Sequence, residues 1–145
     1  MCGIAGYIGK KNLEPTSISR TLELMKNRGP DYKSKVEYKG VGDGINVTLL
    51  HSRLSIIDLD SRSHQPFEFG DYTLVFNGEI YNYLEIKSKL KAEGHDFRTN
   101  SDTEVLLKAY IQYGTACVKY FEGMWAFAIW DNAKEELFLS RDRFS

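Results

Sequence analysis

The second residue is a cysteine, and trimming of Met1, common when the next residue is small, would leave a thiol and a free α-amine on Cys2. An α-amine titrates at about 7.7–8.0 when unperturbed, so near neutral pH part of it can take the thiol proton. The thiolate is the attacking species in cysteine chemistry, and a terminal amine is one of the bases that activate a terminal nucleophile. The same cysteine, read plainly, is a small apolar residue opening the strand that continues to Ile8.

Three further constellations bear on this choice. In His51-Ser52-Arg53-Leu54-Ser55-Ile56-Ile57-Asp58, an arginine closes an apolar strand. Its planar fork suits a carboxylate, either a ligand's or an internal one such as Asp58. In Val75-Phe76-Asn77-Gly78-Glu79, an Asn-Gly pair follows a strand. That is a common hairpin signal, but a helical pattern comes next. The Asn77 amide and the Gly78 N–H are therefore candidate donors to a developing oxyanion, and Glu79 can face an ammonium group. In Thr99-Asn100-Ser101-Asp102-Thr103-Glu104, Ser101 or Asp102 reads as a helix cap, and Asp102 reads equally as an ammonium ligand at that helix start. Jointly these groups match an α-amino acid with an amide side chain: glutamine, or the shorter asparagine.

The elements that must position these residues are short. Strands are expected over 2–8, 36–39, 47–51, 73–76, 124–130 and 137–141, with the 73–76 strand breaking at Asn77-Gly78. The last two form a hairpin across residues 131–134 and, being mostly apolar, should be buried on both faces. Helices are expected from Pro15 to Met25, from Asn82 to Gly94, and from Ser101 to Gly114. This pattern indicates one α+β domain with mainly antiparallel sheet. At 145 residues, 42% hydrophobic and 27% charged, the chain can bury a core without metals or disulfides. A net charge of -1 points away from nucleic acid and anionic membrane surfaces. Cys2 and Cys117 lack metal or redox spacing, and no apolar run approaches the ~20 residues of a membrane span, so a reduced cytoplasmic setting is expected. His51, Cys117, Trp125, Phe127 and Trp130 read as packing residues, His64 and His95 as loop residues, and Lys87 to Lys91 as a solvated helix face.

The chain resembles class II glutamine amidotransferase domains, the N-terminal-nucleophile type, and among them the asparagine-synthetase kind. The strings that carry the likeness are Met1-Cys2-Gly3-Ile4-Ala5-Gly6, Arg28-Gly29-Pro30-Asp31, the 51–58 segment, Gln65-Pro66, Phe76 through Asn82, Ser101 through Glu104, Gly123 through Asp131 and Arg141-Asp142-Arg143-Phe144. They run in family order. The resemblance implies a four-layer αββα sandwich of two antiparallel sheets. It implies Cys2 as nucleophile, Asn77 and Gly78 as oxyanion donors, and Arg53, Leu54, Ser55, Ile56, Ile57, Asn77, Gly78, Glu79 and Asp102 as glutamine contacts. The resemblance implies that glutamine hydrolysis needs no cofactor and that ATP and magnesium serve only a synthetase domain, which is not expected within residues 1–145. The family pattern continues past Phe144 with glycine and further strands. Residues 1–145 therefore read as a partial amidotransferase domain with an unpaired sheet edge, expected to deliver ammonia to a synthetase domain or partner chain and able to form homo-oligomers. Other class II amidotransferases and a non-catalytic glutamine-binding module are the alternative readings.

Overall fold

The computed structural model describes residues 2–55 and 63–144, and these build two antiparallel sheets. The first has the order β1-β3-β2, from Gly3–Gly9 (β1), Tyr32–Val41 (β2) and Ile45–Arg53 (β3). The second has the order β4-β5-β6-β7, from Phe67–Phe69, Tyr72–Ile80, Gly123–Asp131 and Glu136–Arg141. Three α-helices accompany them: α1 (Pro15–Leu24), α2 (Tyr83–Ala92) and α3 (Asp102–Tyr113), the last running on into a 3-10 segment over Gly114–Tyr120.

Strand alternation sorts the side chains into layers. Val47 and Leu49 of β3 meet Val75 of β5 and Ala128 and Trp130 of β6, so one core lies between the sheets. The alternate β5 residues Leu74, Phe76 and Ile80 pack against Ile86 and Leu90 of α2 and Leu106 and Ala109 of α3. On the far side of the first sheet, Ile18 of α1 is buried, and Ser52 Oγ donates to the carbonyls of Met25 (3.3 Å) and Gly29 (2.6 Å) just past α1. Burying each such aliphatic side chain contributes about 1.5–3 kcal/mol. The order helix, sheet, sheet, helices is the expected αββα sandwich.

Several local expectations are corrected. β5 does not break at Asn77-Gly78 but runs on to Ile80, paired with β6 throughout. The cause is a pair of glycines. Gly78 and Gly123 both have φ near +150°, and a Cβ on either would lie 2.1 Å from a carbonyl oxygen of the opposite strand, Met124 and Glu79 respectively. Glycine here permits a close strand approach instead of a turn. β7 is an edge strand in the described sheet, with Leu139 exposed, so only β6 of the hairpin is buried on both faces over most of its length. The strand 67–69 was not anticipated. Asn82 precedes α2, but its side chain bridges to the Tyr120 carbonyl (2.9 Å) and the Glu122 N–H (3.0 Å) rather than capping the helix. Lys87 does not belong to a solvated face: its Nζ donates to the Thr99 carbonyl at 2.8 Å.

Of the two candidate caps for α3, Ser101 is the one used, its Oγ accepting the Thr103 N–H at 3.1 Å. Ser101→Ala should lower unfolding stability by about 1 kcal/mol, read from chemical denaturation. Cys117 is fully buried beneath α3, and burial pushes its thiol up to about 12, as suits a packing residue. No helix among the described residues is long and apolar enough to cross a membrane.

Candidate active site

Cys2 sits at the mouth of β1, where Gly3 pairs with Ser52 and the end of β3 runs alongside. The Leu54 N–H donates to Cys2 Sγ at 3.4 Å, and the thiol lies 3.7 Å from the Leu54 carbonyl. The main chain thus presents the positive end of an amide dipole to the sulfur. The string Arg28-Gly29-Pro30-Asp31 builds this corner. Arg28 Nε donates to the Cys2 carbonyl (3.3 Å), and Asp31 Oδ2 accepts the Ser55 N–H (2.7 Å). Gly29 lies so close to β3 that a Cβ would stand 2.1 Å from the Ser52 oxygen. The segment after α1 therefore fastens the N-terminus and residues 53–55 to each other.

A cavity of about 100 Å³ opens beside the sulfur, lined by Cys2, Arg53, Leu54, Gly78, Glu79 and Asp102 among others. Four elements supply these groups: β1, the end of β3, the end of β5 and the start of α3. Arg53 and Asp102 are 4% and 5% exposed, both in the wall of the same small cavity. A guanidinium and a carboxylate there match the two charged ends of an amino acid. Asp102 Oδ2 accepts the Ile80 N–H at 3.1 Å, yet burial outweighs this bond and raises its carboxyl from 3.8 to about 6.

The outer edge of β5 carries the remaining polar groups. Backbone amides of alternate residues point to the same side of an antiparallel strand. The Phe76 N–H goes to Gln65 Oε1 (2.6 Å) and the Ile80 N–H to Asp102, so the Gly78 N–H between them is directed to that side, into the cavity wall. The Asn77 N–H points the other way, toward β6. Asn77 lines an adjoining cleft of about 200 Å³ with Arg28, Met124 and Asp142, and among the described residues its buried Oδ1 has no partner. Gly78 and Met124 belong to both walls, so the two hollows share a partition. Ser55, at the cavity's margin, is tied to Asp31 and is not among the lining residues. Ile56 and Ile57 lie outside the described residues.

Other cavity residues were not anticipated. Ser63, Gln65, Ser101, Thr103 and Met124 all contribute to the wall. Gln65 was visible only as half of a Gln-Pro string, and an amide or hydroxyl side chain carries no periodic or charge signal. His51, fully buried between the sheets, donates Nε2–H to the Phe76 carbonyl at 3.3 Å, and desolvation lowers its ring to about 4, so it is a neutral strut. Glu104 is also structural: its carboxylate accepts the N–H groups of Arg98 and Thr99 and the Thr99 hydroxyl, folding that loop onto α3.

The family profile described as "Glutamine amidotransferase domain" matches residues 1–145. The chain belongs to that family. Among its relatives, "Asparagine synthetase [glutamine-hydrolyzing] 3" of Bacillus subtilis (strain 168) is 37% identical over 150 residues, covering 99% of this chain and 23% of the relative. "Putative asparagine synthetase [glutamine-hydrolyzing] 2" of Methanocaldococcus jannaschii is 40% identical over 161 residues, covering 99% of this chain and 30% of the relative. This amidotransferase chain thus spans less than a third of the length of either relative. The solved glutamine phosphoribosylpyrophosphate amidotransferase of B. subtilis superposes with a TM-score of 0.74 over 96% of this chain and 37% of that one, at 19% identity, which establishes the shared fold.

Proposed function

We propose that this amidotransferase domain hydrolyses the side-chain amide of glutamine to glutamate and ammonia, as the glutaminase part of an asparagine synthetase. The observation that carries the reading is the convergence of Cys2, Arg53 and Asp102 on one small cavity. In the proposed reaction the Cys2 α-amine takes the thiol proton as sulfur attacks the amide carbon. The Gly78 N–H is the donor in the cavity that steadies the tetrahedral oxyanion, and the Asn77 amide, across the partition that the two hollows share, is the second donor. The carbon–nitrogen bond then breaks, the amine returns the proton to departing ammonia, and water cleaves the glutamyl thioester to free glutamate and the thiol. Arg53 holds the α-carboxylate and Asp102, with Glu79 at the exposed rim, holds the ammonium group. Residues 54–57 complete the substrate contacts. The reaction is proposed for the cytoplasm, with ammonia passing to a synthetase domain that uses ATP and magnesium.

The names of the relatives favour the asparagine-synthetase kind over other acceptors. Glutamate release from purified chain, with glutamine and asparagine compared as substrates, tests the reading. No glutamate above background from protein with a mass-verified N-terminal cysteine would refute it.

Asp102 makes the site sensitive to acid. Its carboxyl must be ionised to hold an ammonium, and burial has raised it to about 6. Glutamine affinity should therefore fall about tenfold for each pH step below that point, and Asp102→Asn should bind weakly at every pH. Stability moves the other way. The folded carboxyl keeps its proton more tightly than an unfolded one, so this group costs the unliganded fold about 2–3 kcal/mol as pH rises from about 4 to about 6. Urea melts of wild type and Asp102→Asn across that window should diverge accordingly, the variant becoming relatively more stable toward pH 7.

A further inference from the structure

We propose that Gln65 is a positioning residue, whose side-chain amide sets the gap between the β5 edge and the start of α3 and so the gap in which the amino acid lies. This rests on the glutamine-binding reading of the cavity. Gln65 is 6% exposed and spans two elements at once. Its Oε1 accepts the Phe76 N–H at 2.6 Å, and its Nε2 donates to Thr103 Oγ1 at 3.3 Å. The Phe76 carbonyl is held in turn by His51 Nε2, and the Gln65 carbonyl accepts from Ser34 Oγ of β2. β4 is too short to extend the ladder past Leu74, so Gln65 supplies by side chain the acceptor that a longer neighbouring strand would have provided.

The geometry along β5 gives this bond its consequence. Three successive outward amides belong to Phe76, Gly78 and Ile80. The first is anchored by Gln65 and the third by Asp102, which leaves the Gly78 amide between two anchors. The second arm of Gln65 grips Thr103, whose N–H is bonded to the cap Ser101 beside Asp102. One amide therefore links the strand carrying Gly78 to the helix turn carrying Asp102. Loss of the link should let these two groups separate without removing any group assigned to substrate contact.

The test uses the full chain with Gln65→Met, which keeps volume but neither hydrogen bond, and Thr103→Val, which cuts only the helix arm. KM for glutamine should rise about 10- to 100-fold in Gln65→Met and less in Thr103→Val; kcat should fall about tenfold or more in Gln65→Met, because the Gly78 amide loses its neighbouring anchor, and change by no more than about threefold in Thr103→Val, which leaves that anchor in place. Gln65→Glu, which keeps the acceptor for Phe76, should lie closer to wild type measured at the same pH in acid, where it is protonated and can donate, than at pH 8. An unchanged KM in folded Gln65→Met, or in Thr103→Val should the former not fold, overturns the proposal. The unliganded protein provides a readout independent of turnover: the 15N shift of Gly78 and the titration of the Asp102 carboxyl should both move in Gln65→Met. Were wild type to release no glutamate, the hydrolysis reading would fail, while these NMR signals would still decide Gln65: movement supports the link and constancy sinks it.

Discussion

Cys2→Ala should abolish glutamate release, by on the order of 10³-fold or more, while the fold and the affinity for glutamine persist. The sulfur is the only atom of the proposed machinery lost in this variant. Its surroundings are held by groups that do not depend on it: Arg28 on the Cys2 carbonyl, Asp31 on the Ser55 amide, and the Gly3–Ser52 pairing of β1 with β3. Calorimetric binding of glutamine should remain within a few-fold of wild type, and thermal unfolding should shift little. A companion variant sharpens the point. Chain that retains Met1, or carries an added N-terminal residue, keeps the thiol but converts the Cys2 amine to an amide, which cannot accept a proton. It should be as inactive as Cys2→Ala. If both proteins turned over glutamine at the wild-type rate, the terminal-cysteine mechanism would be untenable.

Gly78→Ala should be among the most damaging single methyl groups in the described residues, alongside Gly29→Ala and Gly123→Ala. The added Cβ would stand 2.1 Å from the Met124 oxygen and 2.7 Å from Trp125 Cα, at a φ of +150° that L residues rarely adopt. Neither obstacle is the tip of a flexible side chain; both are backbone of the neighbouring strand. β5 and β6 must therefore part, in the middle of the second sheet and next to the buried Ile80 and Phe127. A loss of about 3 kcal/mol or more is expected from the strain and the broken ladder. The same displacement carries the Gly78 amide away from the cavity, so residual folded protein should also lose turnover. Denaturant midpoints and glutamate release measured on the soluble fraction would separate the two effects. Gly94→Ala is the control: a Cβ there meets nothing within 4 Å, although its φ of +95° still strains the backbone. Its cost should be smaller and confined to stability.

The candidate site residues were readable in the sequence because their types are conspicuous in their settings. A cysteine behind the initiator methionine, an arginine ending an apolar strand and an aspartate at a helix start each need a reason to be there. The α+β class with mainly antiparallel sheet was readable from period-2 strands joined by short turns and amphipathic helices, while the layering followed from the family resemblance. Three features were not readable. Whether Asn77-Gly78 turns the chain or continues the strand depends on Gly123, forty-five positions away, which allows the opposing backbones to close up. That Gly78 borders both hollows while Asn77 lines only the adjoining cleft emerges once the strand is known to continue. And Gln65, with a side chain as common on surfaces as in interiors, acquires its role only from the two groups it reaches.

The sequence by itself determined most of the elements, the α+β class and three candidate site residues, Cys2, Arg53 and Asp102, and the family resemblance added the αββα layering. Tertiary structure alone decided that these three share one small cavity, which amide of β5 faces it, and which side chain braces its walls. The division has a simple cause. Burial pattern and propensity are local properties of a chain, whereas a cavity is bounded by hydrogen bonds between segments remote in sequence, and nothing in either segment announces its partner.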